Sequence, residues 1–495
     1  MKIYIGGLYL TESSFFFVDL FMPDDRRPGI LDRTLSNLLR AWIDLSDSTR
    51  HYITGQPRPD LPNDDLQKVR QQMESFIEAV GDEASVRARA AEFGRVYMGL
   101  NREGRVKFLT ELATGFDVDR GAVDEAITEV RSAGGVVASR RIAEARLRQA
   151  LEPRWRALLG RFTTLPEGVK FLVELRAEML PMTLNNPPIK ALSDDLKAML
   201  RAWFDIGLLD LRQIDWSSPA ALLEKLIAYE SVHAIRSWDD LKNRLESDRR
   251  CFGFFHPNMP DEPLIFVEVA LVNGIAPSVD QLLDEMEPEI DPKTADTAIF
   301  YSISNAQRGL DGISFGNFLI KRVVEVLKHD FPNLKTFSTL SPIPGFSHWF
   351  EEVMRADDVI FLKGSERKIL KAYSKGESDG DLLGHLLGRV NFCENDVVAD
   401  LVKVPLTRLA ARYLVDEKGR DDRARDAVAH FHLSNGARVE RLNWMGDCSE
   451  RGLKQSFGLT VNYLYRLSDI ESNSAAYMGE RAIAQSTSVR GFARA

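Results

Sequence analysis

The segment from Tyr301 to Trp349 restricts most strongly how this chain can fold. Thr297–Ser304 is rich in aromatic and β-branched residues and predicts a strand, and a turn containing Gly309, Gly312 and Gly316 follows it. Apolar residues at helical spacing come next, and a second strand ends at the sequence Ser-Pro-Ile-Pro-Gly-Phe. A strand, a glycine turn and a helix N-terminus form a site for anions, so we expect a phosphorylated ligand here.

The spacing of these glycines excludes two phosphate-binding motifs. The order G-x-x-G-x-x-x-G is not followed by Gly-Lys-Ser/Thr, and it is not G-x-G-x-x-G. The frame Gly309-x-x-Gly312-x-Ser314, preceded by Gln307 and Arg308, resembles the loop Q/R-x-x-G-x-G/A with which GNAT acetyltransferases hold coenzyme A. The alternative is an ordinary βαβ unit in which the glycines serve only to turn the chain.

Composition and charge narrow the possible partners. The chain has 495 residues, enough for two cores, and 44% hydrophobic and 28% charged residues are typical of a globular protein. A net charge of −9 argues against nucleic-acid and anionic-membrane binding. An anionic ligand would then need local cations, and the glycine turn has four near it in sequence: Arg308, Lys321, Arg322 and Lys335.

The three cysteines indicate a reducing compartment. Cys251, Cys393 and Cys448 are far apart and odd in number, with no CxxC pair and no metal-ligand spacing to histidine. We therefore expect no disulfide framework and no metal. No basic segment with a cleavage site and no run of 18 apolar residues is visible, so we expect no membrane span and a cytoplasmic location.

The first part of the chain is expected to be helical. Residues 66–205 alternate apolar and charged residues at helical spacing, and Asn185-Asn186-Pro187-Pro188 breaks the pattern before a helix at Ile189–Leu209. Six earlier helices are predicted: Leu66–Ala79, Val86–Leu100, Val106–Thr114, Val123–Val130, Ala143–Arg161 and Gly168–Met179.

The second part has a β character. Cys251–His256 and Leu264–Val272 predict a hairpin, and residues 350–425 predict a helical insertion. Asn435-Gly436, a strong hairpin signal, lies between two further strand-like runs. The remaining strands are predicted at Lys335–Leu340, Val428–Ser434, Ala437–Trp444 and Leu459–Tyr465.

Longer strings of this sequence carry a family resemblance. FYSIS, QRGLDGISFGNFLIKRVV, TLSPIPGF, FHLSNGA and NWM resemble the malonyl-CoA decarboxylases. The similarity extends back through CFGFFHPNMPDEPLIFVEVAL and forward through LTVNY, so it covers most of residues 150–480.

The resemblance implies an α+β architecture of two parts. Residues 1–198 would be an all-helical N-terminal domain for assembly into a homo-oligomer, a dimer or tetramer. Residues 199–495 would be a GNAT-like mixed α/β catalytic domain with the insertion around 350–425. The implied reaction converts malonyl-CoA to acetyl-CoA and carbon dioxide, with no cofactor beyond the coenzyme A thioester that is the substrate.

The resemblance also assigns site residues. Ser341 of SPIPGF and His432 of FHL match the family's catalytic pair, and Ser302 and Tyr465 match positions near the acyl group. Relatives commonly have glutamate where this chain has Ser314, so a role for that carboxylate is in doubt here. The coenzyme A turn falls on seven residues: Asp311, Gly312, Ile313, Ser314, Phe315, Gly316 and Asn317.

The residues themselves leave alternatives open. A thioester carbonyl is its own electron sink, so decarboxylation needs hydrogen-bond donors for an enolate and a proton donor such as histidine. His430 lies two residues before His432, on the same face if both are in a strand, and Ser338 competes with Ser341. An acyl-CoA N-acyltransferase on the same fold and a non-enzymatic acyl-CoA sensor are the competing functions.

Overall fold

The computed structural model describes Trp42 and residues 57–78, 83–134, 137–313, 318–355, 362–376, 378–388 and 396–494. The chain divides into two compact units. One comprises Met1–Leu209, Phe255–Pro263 and Gln307–Ser314, and the other comprises Asp210–Phe254, Leu264–Ala306 and Phe315–Ala495. The predicted boundary between residues 198 and 199 stays a prediction.

The described part of the first unit is helical, as its periodicity predicts. Asn101, Asp119 and Asn186 each cap a helix by accepting hydrogen bonds from backbone N–H groups of the first turn. The single helix predicted for Ala143–Arg161 is two helices, since Pro153 lies between them. The helices are α1 (Asn63–Glu78), α2 (Glu83–Gly99), α3 (Arg102–Gly115), α4 (Arg120–Ser132), α5 (Val137–Ala150), α6 (Arg154–Gly160), α7 (Gly168–Met179) and α8 (Pro187–Trp203).

Aromatic side chains fill the core of this unit. Phe162 stacks on Phe171 with ring centroids 4.9 Å apart, and Phe108 packs between Phe93 and Tyr97 at 4.9 and 5.1 Å. Large buried rings give most of the apolar area that such a helical unit removes from water.

The second unit is built on one mixed sheet. Its order is β1-β2-β3-β4-β5-β8-β6, with β7 paired to β8. The predicted hairpin of β2 and β3 is confirmed as an antiparallel pair, and β4 and β5 are parallel. The strands are β1 (Asp210–Ile214), β2 (Arg249–Phe255), β3 (Ile265–Val272), β4 (Thr297–Asn305), β5 (Thr336–Thr339), β6 (Ser341–Pro342), β7 (Arg438–Asn443) and β8 (Thr460–Leu464).

Along the chain, helices lie between the strands of this sheet and after the last of them. The predicted amphipathic helix after the glycine turn is confirmed from Phe318, and the predicted insertion is helical where it is described. The helices are α9 (Ala220–Tyr229), α10 (Trp238–Asn243), α11 (Val279–Leu282), α12 (Phe318–Asp330), α13 (Phe346–Met354), α14 (Gly364–Tyr373), α15 (Asp379–Leu387), α16 (Asp396–Val415), α17 (Ala427–Ser434), α18 (Glu450–Ser456), α19 (Ile470–Glu480) and α20 (Thr487–Arg494).

The predicted hairpin around Asn435-Gly436 is wrong, because Ala427–Ser434 is helix α17. Asp426 caps its start, accepting from the N–H groups of Val428 and Ala429 at 3.0 Å each. At its end, Gly436 has a φ of +82°, and the N–H groups of residues 436 and 437 donate to the carbonyls of residues 433 and 432. Asn-Gly therefore ends a helix here in a Schellman motif and does not turn a hairpin.

The pairing of strands β4 and β5 ends midway along β4. Their paired register runs from Thr297–Thr336 to Phe300–Thr339, and the N–H of Leu340 donates to the carbonyl of Phe300 at 3.0 Å. Beyond this point β4 continues to Asn305 paired with β3 alone, within the described chain. One edge of β4 therefore offers backbone groups to an extended ligand.

Candidate functional site

Ser341 and His432 meet in the second unit, although 91 positions separate them in the chain. Ser341 begins β6, just past the point where β4 and β5 separate, and its Oγ lies 3.2 Å from His432 Nε2. The serine hydroxyl also donates to Thr339 Oγ1 at 2.8 Å. Both members of the pair are buried, with 6% and 3% of their surfaces exposed.

Helix α17 decides which histidine faces Ser341. Two residues along an α-helix are about 200° apart, so His430 and His432 point in opposite directions, contrary to the expectation from a strand. His430 Nδ1 instead lies 2.8 Å from the hydroxyl of Tyr477. Ser338, the competing serine, donates to the carbonyl of Tyr463 at 3.1 Å.

The imidazole of His432 contacts two tyrosines, Tyr463 in β8 and Tyr465 directly after this strand. Its Nδ1 lies 2.8 Å from the hydroxyl of Tyr465, and its ring stacks on Tyr463 with centroids 4.5 Å apart and planes 25° apart. Burial alone lowers the pKa of His432 to about 3, and burial raises the pKa of Tyr465 well above its usual range. The imidazole is therefore neutral at neutral pH.

The hydrogen bonds around His432 fix its tautomer. Because Ser341 donates its single proton to Thr339, its oxygen accepts from His432, and Nε2 carries the hydrogen. Nδ1 is then the acceptor for the hydroxyl of Tyr465. Tyr465, His432, Ser341 and Thr339 thus form a chain of donors in which the protonated nitrogen faces the serine.

Ser302, expected near the acyl group, is held by a carboxylate that sequence reasoning missed. Glu230 follows helix α9, is 8% exposed, and accepts from Ser302 Oγ at 2.8 and 2.9 Å. It also accepts from Ser304 Oγ at 3.1 Å and from the N–H groups of Val232 and His233 at 2.7 and 2.8 Å. The proton of Ser302 is committed to Glu230, so toward a ligand this hydroxyl presents lone pairs.

A β-bulge lies beside Ser302. The register between β3 and β4 shifts between Glu268 and Val269, which pair with Ser302 and Phe300, so Tyr301 is the additional residue. Bulges bend a strand and redirect its side chains, and they are frequent next to active sites. The bulge coincides with the start of the free edge of β4, where backbone donors could face a developing oxyanion.

The described part of the glycine turn belongs to the first unit. Asp311, Gly312 and Ile313 are described, whereas Ser314, Phe315, Gly316 and Asn317 lie outside the described residues. Gly312 has a φ of +76°, a left-handed conformation that favours glycine. Burial raises the pKa of Asp311 to about 6, while Arg308, Arg176 and Lys197 act in the opposite direction.

Two of the expected cations of this turn are already paired. Lys321 forms an ion pair with Glu471 at 3.3 Å, and Arg322 forms one with Glu325 at 3.5 Å. Of the four expected cations, Arg308 is one whose charge acts on Asp311. Two further cations act on Asp311: Arg176 on helix α7 and Lys197 on helix α8. No sequence pattern near the glycines could indicate them.

Neither metal ligation nor a membrane span is found in the described residues. No group of three or more His, Cys, Asp or Glu side chains there could hold a metal ion. No helix among the described ranges is long and apolar enough to cross a bilayer.

Fold and site together define a class: a helical region joined to a GNAT-like mixed-sheet domain with a buried serine–histidine pair. Family models agree with this class. The malonyl-CoA decarboxylase C-terminal domain matches residues 207–495, and the N-terminal domain of the same family matches residues 116–204. The chain belongs to the malonyl-CoA decarboxylase family.

Individual relatives are similar over most of their length. The mitochondrial malonyl-CoA decarboxylase of Anser anser anser is 40% identical over 424 residues, 82% of this chain and 83% of that protein. The crystal structures of malonyl-CoA decarboxylase from Rhodopseudomonas palustris and Agrobacterium vitis are each 41% identical, with TM-scores of 0.78 and 0.77. Each covers 86% of this chain and 99% of the solved one, so the expected fold class is confirmed.

Proposed function

We propose that this chain removes the carboxylate of malonyl-CoA as carbon dioxide and leaves acetyl-CoA, with Ser341 and His432 handling the proton. Membership of the malonyl-CoA decarboxylase family supports the substrate and the reaction class, a carboxy-lyase (EC 4.1.1.9). The observation that carries the site is the 3.2 Å contact between Ser341 Oγ and His432 Nε2 inside a buried pocket of tyrosines. The competing N-acyltransferase function has no comparable support.

The reaction needs an electron sink and a proton. When the bond between the α-carbon and the carboxylate breaks, its electron pair moves into the thioester carbonyl and gives an enolate. Backbone N–H groups on the free edge of β4 would stabilise the enolate oxygen. The α-carbon then takes a proton from the Ser341–His432 pair, and Tyr465 and finally solvent restore it.

A neutral histidine suits this chemistry. An imidazolium beside the substrate would attract and stabilise the malonyl carboxylate, the group that has to leave. Burial keeps His432 uncharged, so the site does not stabilise the ground state in this way. The enolate carbon is a strong base, which is why a neutral donor is sufficient.

The nucleotide end of the substrate is assigned to the glycine turn. Backbone N–H groups of the predicted turn residues, Asp311 to Asn317, would hold the pyrophosphate. The positive φ of Gly312 and the absence of a side chain there support a close approach of phosphate to backbone. Ser302 and Tyr465 would contact the acyl end.

The reaction is proposed to need no metal and no organic cofactor. We expect purified protein to release carbon dioxide and acetyl-CoA from malonyl-CoA in buffer with EDTA, and without an added amine. Chromatographic detection of acetyl-CoA measures this directly. Activity that disappears in EDTA and returns with a divalent metal would contradict the mechanism, and acyl transfer to an amine without carbon dioxide release would favour the acyltransferase.

A cytoplasmic homo-oligomer, either dimer or tetramer, completes the proposal. Cys251 is buried and Cys448 exposed, and both are free thiols, which fits a reducing compartment. Light scattering of the purified protein measures the oligomer, and a monomer at micromolar concentration would contradict it. Cell fractionation tests the compartment, and recovery in an organelle fraction would contradict the assignment.

A further inference from the structure

The glycine turn is fixed from several sides within the first unit. A short 3-10 turn spans Arg308–Leu310, and the N–H of Ile313 donates to the carbonyl of Leu310 at 2.9 Å. The side-chain amide of Gln307 donates to the carbonyl of Pro263 at 3.0 Å and is buried. The described part of the turn is therefore a rigid platform and not a loose connection.

Helix α7 packs directly on the backbone of this turn. A Cβ at Gly309 would collide with the carbonyl of Val173, so glycine permits a backbone-to-backbone contact. Arg176, 3% exposed, donates to the carbonyls of Gly309 and Ser193. Its guanidinium thus joins the turn to α7 and α8 and orients the turn.

Helix α8 adds a cation at the glycine with positive φ. Lys197 Nζ lies 2.5 Å from the position that a Cβ on Gly312 would take, so glycine lets the ammonium come close to the backbone here. Lys197 is half-buried, and its ammonium is beside the exposed backbone of Gly312. A phosphate bound to that backbone would be in reach of this charge.

Charged groups of both signs lie around the turn, and Asp194 and Glu174 interact with Arg176 and Arg308. Arg308, Arg176 and Lys197 act on one carboxylate, Asp311. Among the described residues, neither Arg176 nor Lys197 forms an ion pair with a carboxylate, whereas Lys190 on the same helix pairs with Asp194. Lys197 therefore has no carboxylate paired with it in the described part of the chain, and a bound anion would supply the opposite charge.

We propose that Lys197 binds a phosphate of coenzyme A, with Arg176 as the residue that positions the turn. This inference rests on the proposed function and extends it, because it gives the helical N-terminal region, expected only to mediate assembly, a part in substrate binding. Lysine acts here as a flexible point charge that reaches a phosphate held beside the backbone of Gly312.

Calorimetry with coenzyme A tests the proposal on the full-length protein. Lys197→Glu should weaken binding roughly 10- to 100-fold and Lys197→Gln somewhat less, the usual worth of a charge-assisted contact and its reversal. Lys190→Glu is the matched control, since it makes the same change two turns earlier on α8, and its affinity should change less than about twofold. Turnover of malonyl-pantetheine, which lacks the nucleotide, should be unchanged in Lys197→Glu.

The outcomes separate the two proposals. With 3′-dephospho-CoA, a smaller loss of affinity in Lys197→Glu assigns the contact to the 3′-phosphate, and an equal loss assigns it to the pyrophosphate. Wild-type affinity in both folded Lys197 variants, or an equal loss in Lys190→Glu, would overturn the lysine site while leaving decarboxylation intact. Wild-type protein that binds no coenzyme A would overturn the proposed function itself.

Discussion

The surroundings of His432 in the second unit, proposed as the reacting end, and those of the glycine turn in the first unit are built from opposite chemistry. Around His432 the partners are hydroxyls and aromatic rings, and burial is the sole cause of its shifted pKa. Around Asp311 three cations crowd one carboxylate. Under the proposed function, charge would hold the nucleotide end of the substrate, and the reaction would take place beside a neutral histidine, where a fixed cation would stabilise the group to be lost.

The largest expected effect comes from replacing His432 of the neutral serine–histidine pair. His432→Asn should lower the turnover number by roughly two to four orders of magnitude, the usual contribution of general acid–base catalysis. Affinity for coenzyme A should remain near that of the wild type, because charge at the glycine turn supplies it. His430→Asn is the matched control and should lose little. A dead His430 variant beside an active His432 variant would overturn the assignment.

Ser341 should be worth less than His432 but should not act independently of it. Ser341→Ala removes the acceptor for Nε2–H and should also reduce turnover. If the two groups move one proton, the double variant should be little slower than the worse single variant, since residues that act as a unit are not additive. Initial rates of acetyl-CoA formation measure all three. Fully multiplicative losses would mean that the serine and the histidine act separately.

A variant of Glu230 tests whether the carboxylate that accepts from Ser302 takes part in the reaction. Glu230→Gln should reduce turnover about tenfold, the worth of one charge-assisted hydrogen bond, because Ser302 would lose its fixed orientation. The Michaelis constant should change less. Ser304→Ala, which removes the other hydroxyl on this carboxylate, is the control and should have a smaller effect. Unchanged turnover in a folded Glu230→Gln protein would make the carboxylate purely structural.

A further test concerns stability in acid. The pKa of His432 is about 3 when folded and near 6.5 when unfolded, so below pH 6.5 the unfolded chain takes up a proton that the folded one refuses. The contribution of neutral His432 to the free energy of unfolding is complete above pH 6.5. It is lost as pH falls toward 3, at about 1.4 kcal/mol per pH unit. Urea unfolding between pH 6 and 4.5 gives the free energy of unfolding at each pH. Its slope against pH should be shallower in His432→Asn than in the wild type by that amount. Equal slopes would mean that His432 is charged in the folded state.

Most of the fold could be predicted because most of its elements are long and periodic. The hairpin of β2 and β3, strand β4 and the helices of the first unit follow apolar spacing, except that the single helix predicted for Ala143–Arg161 is α5 and α6. Helix α17 could not be predicted, since it has only eight residues and its sequence also suits a strand. Asp426 before it and glycine after it were helix-boundary signals, but Asn-Gly is equally typical of a hairpin.

The candidate site is predicted by resemblance and only partly by local chemistry. Ser341 and His432 were named from matching strings, and the structure brings them together. Glu230 and Lys197 carry no local motif, because their partners on β4 and at the glycine turn come from distant parts of the chain. Such residues become visible only when tertiary structure places a charge beside its partner.

The free edge of β4 has a consequence for how binding can be observed. Backbone amides from Tyr301 to Ser304 that face this edge lack a neighbouring strand in the described chain, so their hydrogens should exchange with deuterated solvent faster than those bonded to β3. An extended pantetheine arm lying along the edge would act as a temporary strand and slow them. Exchange mass spectrometry with an inert thioether analogue would therefore report occupancy of the reacting end without turnover.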